Sequence, residues 1–143
     1  MTDPFIDTSV LVRYLTDDPP ELGQRAASYI ESGDPFTISA LVLVETAYVL
    51  TTVYGLGRAR VVDVLSELVQ RRNLSLLHVA KPLALQALQL CRGSARVSFG
   101  DALTWAQARQ AGADRMLTFD RRFPDEGLER IGSKPWKAPR NAD

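Results

Sequence analysis

A chain of 143 residues with 45% hydrophobic content can bury one substantial core and has no comfortable room for two. Its 17 basic and 17 acidic side chains cancel, which argues against a surface that grips nucleic acid everywhere, and its single cysteine, Cys91, excludes an internal disulfide or a cysteine-rich zinc module. No basic region and apolar stretch follow Met1, and the longest apolar-rich segment, 40–50, is interrupted by Glu45 and too short to span a bilayer; the expected setting is a reducing cytoplasm, with no membrane partner.

Residues 4–6 read as a short buried strand, and 10–15 as a helix that begins at once, with Thr8 or Ser9 as its cap. After the Asp17-Asp18-Pro19-Pro20 break, 21–30 has helical spacing that puts Leu22, Ala26, Tyr29 and Ile30 on one side; Gly33-Asp34-Pro35 ends it and 36–38 is a strand. Ser39 caps a long helix to about residue 54. Gly55-Leu56-Gly57 separates it from a second helix, 58–70, whose stripe includes Val61, Leu65 and Leu68. This hairpin carries more apolar face than one thin sheet should absorb, so a homodimer is expected.

The next strand is 74–79, and 82–91 is a helix opened by proline at its first turn. A Gly93-Ser94 loop leads to a helix over 99–111, a strand over 116–119 and a short edge strand over 128–131. Strands alternating with helices predict an α/β fold with a parallel sheet covered on both faces. The expected domain is 1–132, followed by a flexible polar tail, 133–143, that only Trp136 could anchor, ordered by a partner if at all.

Four carboxylates stand against apolar runs: Asp7 after Phe5-Ile6, Glu45 within Leu41 to Val44, Asp101 before Ala102-Leu103, and Asp120 after Met116 to Phe119. Glu45 is the sharpest, because Leu41, Val42, Tyr48 and Val49, at helical neighbour spacing, put it on the face expected to be core. Asp7 and Asp120 could instead serve turns or caps, Asp101 could complement its helix dipole, and Glu45 could snorkel or pair with arginine. Acids withdrawn from water need a counter-charge, and four of them ask for a common one. Because parallel α/β sheets bind ligands outside the C-terminal ends of their strands, where Asp7 and Asp120 are expected, the four can converge.

Oxygen ligands without a histidine or cysteine cluster suit Mg²⁺ or Mn²⁺ rather than Zn²⁺. His78, the sole histidine, reads as a core or edge residue, and Cys91 as filler. Setting the four acids aside leaves 13 acidic against 17 basic side chains, with arginine far outnumbering lysine. Arg13, Arg121 and Arg122 are then candidate contacts to a phosphate backbone.

The residues Phe5-Ile6-Asp7-Thr8-Ser9-Val10-Leu11-Val12-Arg13-Tyr14-Leu15, Glu45 in its apolar helix, Ser98-Phe99-Gly100-Asp101-Ala102-Leu103 and Leu117-Thr118-Phe119-Asp120-Arg121-Arg122-Phe123 occur in an order and spacing that resemble the PIN-domain ribonucleases, specifically the VapC-type toxins of toxin–antitoxin pairs. The likeness covers roughly residues 5–131. It implies a three-layer α/β sandwich, a homodimer, Mg²⁺- or Mn²⁺-dependent endonucleolytic cleavage of RNA, and silencing by a cognate VapB-like antitoxin. It also implies a metal site of Asp7, Glu45, Asp101 and Asp120, with Thr8, Ser9, Ser98 and Thr118 as polar neighbours. Many relatives carry Asn where Ser9 stands and Asp where Ser98 stands, which alters the supporting hydrogen bonds.

Three other readings compete. A receiver-like signalling domain also gathers acids at strand ends and uses a Lys-Pro pair, which Lys81-Pro82 mimics, but Asp7 stands alone after the first strand and Lys81 precedes two of the four acids. An aspartyl phosphatase would show a second Asp two residues after Asp7, where Ser9 stands. A non-catalytic module whose acids hold one structural ion is the remaining alternative.

Overall fold

The computed structural model describes residues 2–93 and 95–139; Met1, Ser94 in the predicted loop, and tail residues 140–143 lie outside the described residues. Among these residues, six helices alternate with short parallel strands: α1 (Thr8–Thr16), α2 (Pro20–Ile30), β1 (Phe36–Ile38), α3 (Ala40–Thr52), α4 (Arg58–Val69), β2 (Leu74–Leu76), α5 (Lys81–Leu90), α6 (Phe99–Gln110), β3 (Arg115–Leu117) and β4 (Glu129–Ile131).

The expected α/β architecture is present, with shorter strands than the sequence indicated. β1 pairs in parallel with β2, Phe36 opposite Leu74, and β3 pairs in parallel with β4, Arg115 opposite Glu129. Residues 4–6, expected as a strand, make a single parallel bridge between Phe5 and Thr37, in which the Ile6 N–H donates to the Thr37 carbonyl at 2.9 Å. The strand expected to reach residue 79 stops at Leu76, because His78 turns into the left-handed region at φ 58° and stands exposed. A β-strand cannot continue through that conformation.

Helix starts follow local chemistry. Ser39 accepts from the Val42 N–H at 3.2 Å and Ser98 from the Asp101 N–H at 3.0 Å, each satisfying a donor that the first helical turn leaves unpaired. The cap of α1 is Asp7, not Thr8 or Ser9: its carboxylate accepts from the Ser9 N–H. Asp17, at φ 51°, ends α1 by donating its N–H to the Arg13 carbonyl, and proline at the first position opens α2.

Leu11, Ile30, Ile38, Leu43, Leu50, Leu65, Leu74 and Leu88 are fully buried in one continuous core. In α2 the buried face is Gly23, Ala26 and Ile30, while Tyr29 turns outward. Val61, Leu65 and Leu68, the stripe expected to help build a dimer, are consumed by this chain's own core. Among the exposed apolar side chains are Leu41 and Tyr48 on α3, each 67% exposed. α3, which carries Glu45 along its length, packs against α1, α4 and α6, so it is the wall between the helices that carry Asp7 and Asp101 at their starts. Arg58 buttresses that arrangement by donating to the carbonyls of Cys91 and Val97 and lying over the Phe99 ring.

The C-terminal segment turns back at Gly132. Its φ of 124° is open to glycine, and a Cβ there would sit 2.6 Å from the Thr118 carbonyl oxygen. Further along, Trp136 receives the Arg115 guanidinium over its ring, 5.7 Å from the centroid.

Candidate active site

Asp7 ends the bridging segment at Phe5 and starts α1. Its Oδ2 accepts from the Ser9 hydroxyl at 2.7 Å and from the Ser9 N–H at 3.3 Å. Those donors favour the ionised form and hold the Asp7 carboxyl below its usual range. The first residue of α1 then reaches α3: the Thr8 hydroxyl donates to Glu45 Oε2 at 2.7 Å. One bond therefore sets Glu45 beside the helix start that carries Asp7.

Glu45 is exposed, which corrects its predicted core-facing position. α3 buries Leu43, Thr46, Ala47 and Leu50, and turns Leu41, Glu45 and Tyr48 outward. Asp101 is half-buried in the first turn of α6, with its N–H on Ser98. α6 approaches α3 so closely that a Cβ at Gly100 would lie 3.9 Å from Val44 Cγ1, one residue from both Asp101 and Glu45. Asp120 follows β3, donates its N–H to the Thr118 hydroxyl at 3.0 Å and accepts from the Arg122 N–H at 2.8 Å.

The Thr8 bond thus links Glu45 to the start of the helix that Asp7 caps, Asp101 lies on α6, which packs on α3, and Asp120 sits on the β3 side with no hydrogen bond to the other three among the described residues. Among the described residues no three acidic, histidine or cysteine side chains stand close enough to hold a metal ion between them. No ion pair engages any of the four acids among those residues either; the recorded pairs are Arg92 with Asp63, Arg115 with Asp114 and Arg130 with Asp125. Hard oxygen donors not tied up in ion pairs fit a hard divalent ion, and Mg²⁺ usually binds through one or two carboxylates while keeping much of its water, so an open set of acids suits it better than a closed cage would.

A family model for the PIN domain matches residues 5–126. The chain belongs to the PIN-domain family. PIN domains are generally nucleases that act on RNA or DNA and use divalent metal ions, so this PIN domain is read as a nuclease of the hydrolase class. None of the curated proteins matches the chain significantly. No helix among the described residues is long and apolar enough to cross a membrane.

Of the arginines considered for phosphate contact, Arg13 is committed to the fold. It donates to the Asp18 carbonyl at 3.2 Å and to the Tyr54 hydroxyl at 3.4 Å, and Tyr54 in turn donates to Asp18 Oδ2 at 2.8 Å. Arg121 and Arg122 are exposed beside Asp120. Cys91 is fully buried, and burial pushes its thiol up to about 11, which suits filler and not a nucleophile.

Sequence reasoning passed over Phe119 as strand core. From Arg115 to Phe119 burial alternates, with Arg115, Leu117 and Phe119 outward and Met116 and Thr118 half-buried. The signal was the parity of Arg115, which marks the odd-numbered side chains as the solvent face.

Proposed function

We propose that this PIN domain is a Mg²⁺- or Mn²⁺-dependent endoribonuclease, the toxin of a toxin–antitoxin pair, acting in the cytoplasm through residues 1–132. The observation that supports the reading is the Thr8 to Glu45 bond, which ties one candidate acid to the start of the helix that Asp7 caps, in a chain belonging to a nuclease family. Asp7, Glu45, Asp101 and Asp120 would hold the ion. When bound, it would supply charge neutralisation at the phosphate and activation of water for in-line attack.

The protein's own contribution is positional. Ser9 keeps Asp7 ionised and aimed, Thr8 orients Glu45, and Ser98 and Thr118 fix the backbone that presents Asp101 and Asp120. Arg121 and Arg122 are placed to steady a phosphate next to Asp120. Water adds to phosphorus, the bond to the 3′ oxygen breaks, and the products carry 5′-phosphate and 3′-hydroxyl ends. No histidine or thiol nucleophile is required.

In this reading Leu41, exposed at the start of α3, takes the place of the buried α4 stripe in the surface for a second copy. A VapB-like antitoxin would silence the site by laying an arginine among the carboxylates in competition with metal, its apolar residues beside Tyr48, Val49 and Tyr54.

The competing reading, a non-catalytic acidic-pocket module, draws on the lack of three converging acids among the described residues. Its receiver-like form has no support from the family match. Metal-dependent cleavage of RNA by the wild type, lost in Asp7→Asn, separates enzyme from module.

A further inference from the structure

β3, β4 and the segment after Gly132 enclose an open groove of about 740 Å³ whose lining includes Leu117, Phe119, Ile131, Lys134, Trp136 and Lys137. It adjoins a second hollow of about 340 Å³ that holds Thr118, Asp120 and Arg121, and the two share Phe119 and residues 130–133. A continuous track therefore leads from a candidate catalytic acid to Trp136.

Three features of this track set it apart from an ordinary surface. Phe119 is 91% exposed and Trp136 is 62% exposed, a large apolar area to leave in water on a small domain. One face of the Trp136 ring is taken by Arg115, which steadies the ring, and the residue still lines the groove. Lys134 and Lys137 have no hydrogen-bond or ion-pair partner among the described residues, whereas Arg130 is already tied to the carbonyls of Arg121 and Phe123 and to Asp125. The one acid in the lining is Glu129.

Aromatic faces interleaved with unpaired cations are the recognition chemistry of unstacked bases on a charged backbone. A protein partner would be the poorer fit, since lysine is depleted from protein interfaces. We infer that this groove binds a single-stranded segment of RNA, with bases stacked on Phe119 and Trp136 and phosphates against Lys134 and Lys137, so that the strand runs on past Asp120. The choice of RNA rests on the ribonuclease reading; the stacking geometry is independent of it.

Binding of a fluorescent oligouridylate in EDTA, which prevents metal-dependent cleavage, tests the inference. Trp105 is 2% exposed, with its indole N–H on the Glu126 carbonyl, so iodide quenching reports Trp136. Saturating oligonucleotide should shield Trp136 from iodide, and Phe119→Ala and Trp136→Ala should each weaken binding about five-fold or more with unchanged melting. No binding, unaltered iodide quenching at saturation, or wild-type affinity in both variants would overturn it. So would equal shielding by an RNA duplex of the same length, whose bases are already stacked, or shielding that rises with protein concentration alone, which would make the groove an interface between copies. Cleavage is scored separately in Mn²⁺. Cleavage without shielding sinks the groove and spares the nuclease; shielding without cleavage does the reverse.

Discussion

The Thr8 hydroxyl donates to Glu45 Oε2 across 2.7 Å, tying the first residue of α1 to the middle of α3 although 37 residues separate them in the chain. Neither side chain is needed by the core, since Thr8 is half-buried and Glu45 exposed. A polar bond that stabilises the fold little yet fixes a carboxylate is what a metal-handling site requires of its surroundings.

Thr8→Val removes the hydroxyl and keeps the shape. Cleavage should fall by about 10- to 100-fold, as expected for loss of a group that orients a metal ligand, while the melting temperature changes little. Thr8→Ser should recover most of the rate. A Thr8→Val protein as active as wild type would detach Glu45 from the site.

The Asp7 carboxyl lies below its usual range chiefly because the Ser9 hydroxyl donates to it. A depressed carboxyl favours folding above the unfolded value and loses that contribution as pH falls through the folded one. Ser9→Ala should therefore move the Asp7 titration upward toward the ordinary range, as read by carboxyl carbon NMR shifts. An unmoved titration would assign the depression to something other than Ser9.

Cys91 supplies the opposite sign. Its thiol is raised to about 11 by burial, so its contribution is complete below the ordinary thiol range, about 8.5, and fades as pH rises toward the folded value. Native protein should resist alkylation at pH 8 and react once unfolded. Rapid labelling of the folded chain would contradict its burial.

Much of this was legible from residue order. Ser39 announced α3 because a hydroxyl before an apolar run offers the first turn an acceptor, whereas Ser98 was read only as a neighbour of the acids although it caps α6 in the same way. Asp7 was weighed first as a ligand, yet it also caps α1, and one carboxylate can do both. The orientation of α3 was not readable: it is apolar on nearly every side, so periodicity could not say which face meets the core, and Leu41, Glu45 and Tyr48 proved to be the outer one. The strand near Phe5 shrank to one bridge because pairing depends on distant Thr37, which local pattern does not report.

The two apolar surfaces should separate under mutation. Leu65→Ala, in the closed core, should cost about 2–5 kcal/mol in denaturant unfolding. Leu41→Ala on exposed α3 should leave monomer unfolding nearly unchanged and shift light scattering from dimer toward monomer. A wild-type monomer at micromolar concentration would remove the dimer from the account.

The central claim is that Asp7 and its neighbouring acids cut RNA with a divalent ion. The most direct test follows cleavage of a single-stranded RNA in Mn²⁺ and in EDTA by wild type, Asp7→Asn, and Asp63→Asn, the last an exposed acid paired with Arg92 far from α1 in sequence. Cleavage by wild type and Asp63→Asn in Mn²⁺, absent in EDTA and absent in Asp7→Asn with its fold intact, is the predicted result. Cleavage that persists in EDTA, or that Asp7→Asn retains at the wild-type rate, would contradict it.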